Sequence, residues 1–270
     1  GVNLDNIKTL WVNTMAEDIE ANRIAWGSVA GDYLYDETTG LDADPFLKYI
    51  QQKLQLSENM TVLDVGCGAG AYSVALSAKV GHVTGVDFSP EMIRNARGYV
   101  REHNISNVEF LERDWWNCDG DEFKGEYDFV FAHTTPAIAD YESLLKMMRA
   151  ATGYCALCKP ARRSDRVMDA LRELTGLEKS DSDQSVAYAF DTIWGHGCNP
   201  ELTYHTTVWN SEKKLEDAKK WYLNRLKGVA TLSEETEKKV CDYLEKISVD
   251  GMIKDTTHTT LVTMFWEVKR

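Results

Sequence analysis

Positive charge is scarce in this chain: 30 lysines and arginines stand against 43 aspartates and glutamates, a net charge of −13. Such a surface is a poor electrostatic match for nucleic acid, which calls for clustered Lys and Arg that displace counterions. Residues 159–166 gather four basic side chains, and that stretch reads as a solvated loop after a strand. Long apolar runs are missing as well. None is long enough to span a membrane, and no signal-peptide pattern opens the sequence, so a cytoplasmic protein without a membrane partner is expected. Cysteine is sparse, six in 270 residues, and in that compartment reads as reduced thiol. Cys155 and Cys158 form the one motif-like pair. On a strand, residues three apart point to opposite faces, and no second Cys or His pair completes a ligand set, so two core residues and no metal are expected. Internal repeats and low-complexity tracts are also lacking.

What is present begins with apolar content, 43% of residues, enough for one sizeable core with an elaboration or a small lid. The stretch Thr61-Val62-Leu63-Asp64-Val65-Gly66-Cys67-Gly68-Ala69-Gly70 organises the rest. Its first half reads as a buried parallel strand, and its second half as a glycine turn. Helical spacing of Ala71, Val74, Ala75 and Ala78 follows. Glycine lets another molecule approach the main chain, and a helix start offers free N–H groups. A second apolar strand, 82–86, ends in Asp87, about twenty residues after Gly66, where a carboxylate can accept from ribose hydroxyls. A nucleotide-like ligand is therefore expected. The dinucleotide fingerprint fits poorly. The third glycine comes one position early, and Asp64 puts negative charge beside the turn, which suits an ammonium or sulfonium over a pyrophosphate.

On these residues the chain resembles the class I S-adenosylmethionine-dependent methyltransferases of the small-molecule type. Residues 62–70 are similar to that family's first motif and Val83-Thr84-Gly85-Val86-Asp87-Phe88-Ser89-Pro90-Glu91-Met92 to its second segment. The likeness is good over about residues 45–160 and looser in the flanks. It implies S-adenosylmethionine as cofactor and S-adenosylhomocysteine as product. It implies cofactor contacts from Asp64, Gly66, Cys67, Gly68, Gly70 and Asp87, with Phe88 and Met92 near the adenine and ribose. Met92 reads equally as core filler. Asp114, at the end of a third strand over 108–113, resembles the residue that accepts from the adenine amino group, and Trp115 would offer a flat face beside the ring. The other reading has Asp114 capping the next turn and the tryptophan pair in the core. Trp26 and Tyr33 resemble an N-terminal Trp and Tyr-Asp pattern, as acceptor and cofactor contacts in a lid over 26–36 or as plain packing.

A fourth strand, 127–132, leads to His133-Thr134-Thr135-Pro136, the position that faces the transferring methyl in the resembled family. His133 there is a base for a hydroxyl or thiol, or a pocket wall, with Thr134 beside it. Helices are expected over 3–25, from Asp44, over 70–79, 89–103, 137–150, 165–174, 184–200, 211–227 and 233–247, and further strands over 152–157, 202–209 and 257–269. The aromatic helix with Trp194, and His196 after it, would contact the acceptor or simply cover the sheet. Alternation over 61–174 argues an open α/β sheet with helices on both sides. The resemblance implies a doubly wound, mostly parallel, seven-stranded Rossmann-like sheet, its last strand antiparallel. It would have an N-terminal helical flap over 1–44 and a methyltransferase domain over 45–270, with helical insertions at 175–200 and 211–250, before and after the sixth strand. Methyl transfer to a small-molecule acceptor is the leading expectation. A nicotinamide-dependent oxidoreductase, a non-catalytic S-adenosylmethionine or nucleotide sensor and, more weakly, an aminopropyl transferase are the alternatives. The oligomeric state is not legible.

Overall fold

A computed structural model describes residues 3–13, 39–179 and 182–269. Its elements in chain order are α1 (Leu4–Leu10), α2 (Pro45–Lys53), β1 (Thr61–Val65), α3 (Ala71–Ser77), β2 (His82–Asp87), α4 (Pro90–Glu102), β3 (Val108–Glu112), β4 (Tyr127–His133), α5 (Tyr141–Ala150), β5 (Ala151–Asp165), α6 (Arg166–Thr175), α7 (Ser182–Gly195), β6 (Glu201–Lys214), α8 (Leu215–Lys227), α9 (Glu234–Ile247) and β7 (Met252–Glu267). The seven strands form one sheet in the order β3-β2-β1-β4-β5-β7-β6. The pairs β3–β2, β2–β1, β1–β4 and β4–β5 are parallel. The reversal of strand order beside β1 puts the ends of β1, β2 and β4 at a topological switch point, where open α/β sheets bind ligands.

Local chemistry sets these boundaries. Asp44 caps α2 by accepting the Leu47 N–H at 3.0 Å, and Ser89 caps α4 by accepting from Met92 at 3.3 Å, each ahead of a proline in the first turn. Val62, Leu63, Val65, Phe129, Val130 and Phe131 are buried, as the continuous apolar runs of β1 and β4 require.

The chain forms two compact units. The first holds 1–159, 185–203 and 262–270, with the glycine turn. The second holds 160–184 and 204–261 around a core of Val167, Met168, Leu171, Tyr222, Leu226 and Leu244. Buried in the second unit, Asp255 accepts the Tyr222 hydroxyl at 2.6 Å and the Val167 N–H at 3.1 Å. β5, β6 and β7 each contribute residues to both units. Among the described residues no helix is long and apolar enough to cross a membrane.

Several boundaries differ from the sequence expectation. The N-terminal helix stops at Leu10, where Trp11 leaves helical geometry and is buried; residues 14–25 of the expected helix lie outside the described residues. The helix expected from residue 137 begins at Tyr141, because Asp140 and Ser143 close a capping box there. The basic stretch after Cys158 is no loop. β5 runs on to Asp165, which is buried and accepts from Arg163 and Thr257. β6 reaches Lys214 and not Trp209, so α8 starts four residues later than expected, at Leu215 instead of Ser211. β7 starts at Met252. Cys155 and Cys158 are both buried.

Candidate functional site

The glycine turn is held from below and open above. Gly66 and Cys67 donate their N–H groups to the Val86 carbonyl at 2.8 and 2.9 Å, tying the end of β1 to β2. Gly68 donates to Asp87 Oδ2 at 2.9 Å, and Asp87 Oδ1 accepts from Ser89 at 3.0 Å. Each glycine has its own physical reason. At Gly66, with φ of +72°, a Cβ would stand 2.0 Å from Thr135 Oγ1. At Gly68, with φ of +55°, a Cβ would meet nothing within 4 Å among the described residues. Gly70 packs its bare Cα on the Phe110 ring. Asp64 is buried beneath the turn and accepts the Ser73 hydroxyl at 2.7 Å. Burial pushes its carboxyl up to about 7, with the Ser73 bond opposing and the Asp87 charge adding. Burial also raises Asp87, against the pull of the backbone N–H groups it accepts. The Cys67 thiol is raised well above its ordinary value, by burial first and then by Asp64 and Asp87, so it is no thiolate nucleophile.

Beside Asp87, Phe88 is half-buried and stacks on Trp116, ring centroids 6.2 Å apart. Met92 is buried against Ala69 of the turn. Asp114 caps its own turn: Oδ1 accepts the Trp116 N–H at 3.1 Å and Oδ2 the Asn117 amide at 2.8 Å. Trp115 does not present the expected flat face. It is a core residue whose indole N–H donates to the Ser143 carbonyl at 3.1 Å and whose ring packs on Phe123. The half-buried neighbour, Trp116, is the indole that meets Phe88.

Across the turn, at the end of β4, His133 lies between rings, with centroid distances of 4.3 Å to Tyr72 and 4.8 Å to Phe46. The Tyr72 hydroxyl donates to Asp44 Oδ2 at 2.8 Å and is 3.3 Å from His133 Nε2. Tyr72 has one hydroxyl proton. With that proton on Asp44, the histidine contact is Nε2–H donating to the phenol oxygen, and Nδ1 keeps a lone pair that accepts from Thr134 Oγ1 at 3.1 Å. Burial holds the imidazole down to about 4, outweighing the Asp44 charge, so it is neutral at pH 7. Thr134 has φ of +48°, and for a β-branched residue that costs about 1–3 kcal/mol. Its N–H donates to the Cys158 carbonyl at 2.9 Å, which helps to hold the strained conformation and keeps its hydroxyl on His133.

A family model described as a methyltransferase domain matches residues 56–222. The chain belongs to the methyltransferase domain family. The domain is thus of the S-adenosylmethionine-dependent methyltransferase class. Two solved structures share the fold of this methyltransferase domain. One is a Bacillus halodurans protein (TM-score 0.52, 14% identity, 83% of this chain and 98% of that one). The other is the YcgJ protein of Bacillus subtilis (TM-score 0.50, 16% identity, 81% and 96%). In sequence, the domain is 41% identical over 68 residues to human tRNA (uracil-5-)-methyltransferase homolog A, across 25% of this chain and 11% of that protein. It is 26% identical over 115 residues to 23S rRNA (uracil(1939)-C(5))-methyltransferase RlmD of Francisella tularensis subsp. novicida, across 37% and 26%. The chain thus spans about a tenth to a quarter of the length of these curated relatives.

The turn fits the methyltransferase cofactor. Gly68 leaves open space where any other residue would put a side chain, and both Asp87 oxygens keep lone pairs beyond the N–H groups they accept. Two expected acceptor contacts do not converge here. His196 lines a cleft with Lys124, Arg149 and Ala151. Ala151 pairs with Tyr127, the first residue of β4, while His133 is the last; His196 therefore sits at the other edge of the sheet, roughly 20 Å away along the strands. Trp194, two residues earlier, is 52% exposed and stacks on Phe190. Trp26 and Tyr33 lie outside the described residues. Two site residues were missed by sequence reasoning. Asp44 reads only as a cap and Tyr72 only as a helical residue, while Thr135 falls in the methyl-facing stretch without a role of its own.

Proposed function

We propose that this domain methylates a small-molecule acceptor in line, at the edge formed by the ends of β1, β2 and β4. The observation that carries the reading is Gly68, bare and open, with its N–H on Asp87. In this reading Asp87 binds the ribose hydroxyls, and Gly66, Cys67, Gly68 and Gly70 let the methionine end lie along the turn. Asp64 lends negative charge to the ammonium from beneath. Phe88, Met92 and Asp114 border the adenine, with Trp116 in place of Trp115. Bound S-adenosylmethionine supplies a methyl already activated by its sulfonium. The protein's work is alignment of the acceptor at about 3 Å, worth several kcal/mol of barrier, and management of its proton. His133 Nδ1 takes that proton from a hydroxyl, thiol or amine, displacing or passing through Thr134. Tyr72 and Asp44 act as positioning residues that fix the tautomer. Thr134 borders the acceptor.

An RNA acceptor is the second reading, favoured by the short likeness to two RNA methyltransferases. The net charge of −13 opposes it. The six free thiols suit a cytoplasmic, reducing compartment. Calorimetric titration of S-adenosylmethionine and S-adenosylhomocysteine into wild type and Asp87→Ala tests the cofactor half. Micromolar binding, weakened at least tenfold by the substitution (about 1.4 kcal/mol), is expected. Heat from NAD but none from either sulfur compound would sink the reading. Turnover of small acceptors against an RNA panel separates the two acceptor classes.

A further inference from the structure

A second cleft, of about 400 Å³, lies in the first unit at the edge of the sheet opposite the glycine turn, beside the last turn of α5 and the start of β5. Among the described residues its charged lining is of one sign: Lys124, Arg149 and Lys269 border it with His196, and no carboxylate does. Among the described residues none of the three cations forms a salt bridge. In a chain with 13 excess negative charges this is a local inversion. Leu145 and Met148 supply apolar wall between the charges. His196 is fixed by its contact with the Tyr141 hydroxyl at 3.0 Å, and it feels Arg149, whose charge adds to burial in lowering its basicity.

A cleft lined by cations over low-dielectric walls concentrates anions. The volume suits a small organic molecule, and an apolar wall with a few convergent polar groups is the usual make-up of such sites. Three cations around one cleft match a dianion better than a single carboxylate. We propose that this cleft binds a small phosphate monoester, its phosphate on Arg149, Lys124 and Lys269 and its apolar body on Leu145 and Met148. The site stands apart from the methyl-transfer edge and does not depend on what that edge does.

Phenyl phosphate is the probe, titrated by calorimetry at low salt with and without saturating S-adenosylhomocysteine. Phenol and inorganic phosphate serve as half-ligands and benzoate as the monoanion. The expected result is saturable binding of phenyl phosphate at least tenfold tighter than any of the three, undisturbed by S-adenosylhomocysteine. The double variant Lys124→Gln/Arg149→Gln should lose at least tenfold with an unchanged thermal midpoint, and Asp87→Ala should lose nothing. Competition by S-adenosylhomocysteine, equal binding by the double variant, equal binding of inorganic phosphate, or no binding up to 10-fold molar excess over a millimolar of protein would each overturn the proposal.

Discussion

Gly66 and Gly68 lie two residues apart in one turn, both with positive φ, and the structure predicts different fates for alanine at each. A left-handed backbone costs an alanine about 1–2 kcal/mol, and both variants bear that cost. Gly66→Ala also drives a methyl to 2.0 Å from Thr135 Oγ1 and 2.6 Å from its Cβ. Thr135 cannot simply rotate away, because its hydroxyl accepts the Ala137 N–H at 3.1 Å. Forced overpacking of this kind adds about 1–3 kcal/mol. Without ligand, Gly66→Ala should therefore lose roughly 2–5 kcal/mol and Gly68→Ala only about 1–2. Urea unfolding followed by tryptophan fluorescence reads both. Thr135→Gly sharpens the test: in that background Gly66→Ala should lose only the backbone part, an interaction energy of about 1–3 kcal/mol in the cycle. Equal losses at the two glycines, or no relief from Thr135→Gly, would refute the reasoning. For S-adenosylmethionine affinity the order reverses, since the methyl at Gly68 enters the open space above the turn.

Asp64 is an acid whose folded value, about 7, lies above its ordinary 3.8. The folded state thus binds more protons in between, and stability should fall as pH rises from about 4 through about 7, with Asp64→Asn flattening that slope in urea titrations at pH 5 and 8. His133 is a base held down to about 4 from its ordinary 6.5, so its contribution is complete above 6.5 and fades as pH falls through 4. Its ring should stay neutral, protonated on Nε2, between pH 5.5 and 8 by nitrogen-15 spectroscopy, and Tyr72→Phe should release the tautomer; an Nδ1–H signal in wild type would contradict the relay. Trp115→Phe removes a buried hydrogen bond and should cost about 1–3 kcal/mol of stability, whereas Trp116→Ala, which loses the indole N–H bonds to the Pro136 and Ala137 carbonyls and the stacking on Phe88, should lower stability and also weaken S-adenosylhomocysteine binding.

The legible part of the site is the part built from neighbours in sequence. Strand, glycine turn and helix over 61–77 announce themselves through periodicity, and Asp87 falls at the end of the next strand. The relay at His133 was hidden because its members are far apart in the chain. Asp44 is 28 residues from Tyr72, and Tyr72 is 61 from His133. Trp115 and Trp116 could not be ordered from sequence, since an irregular turn has no period to say which of two neighbours faces inward. The far halves of β5 and β6 were misread for a related reason. Exposed residues such as Arg162, Arg163, Glu212 and Lys214 carry no apolar alternation, so a strand there looks like a loop. His196 and Trp194 were assigned to the wrong edge because α7 has a length and a direction that residue type alone does not reveal.

The strand order β5-β7-β6 has a consequence for biosynthesis. β7 comes last of the seven in the chain, yet its place is inside the sheet. At ribosomal speed, β5 emerges on the order of ten seconds before the residues that will pair with it. Through that interval one edge of β5 has no sheet partner, and β6 has no neighbour at all. Unpaired edges are templates for the wrong chain. The nascent chain is therefore most open to misassembly while residues 166–251 are being made, and a chaperone that shields strand edges would act there.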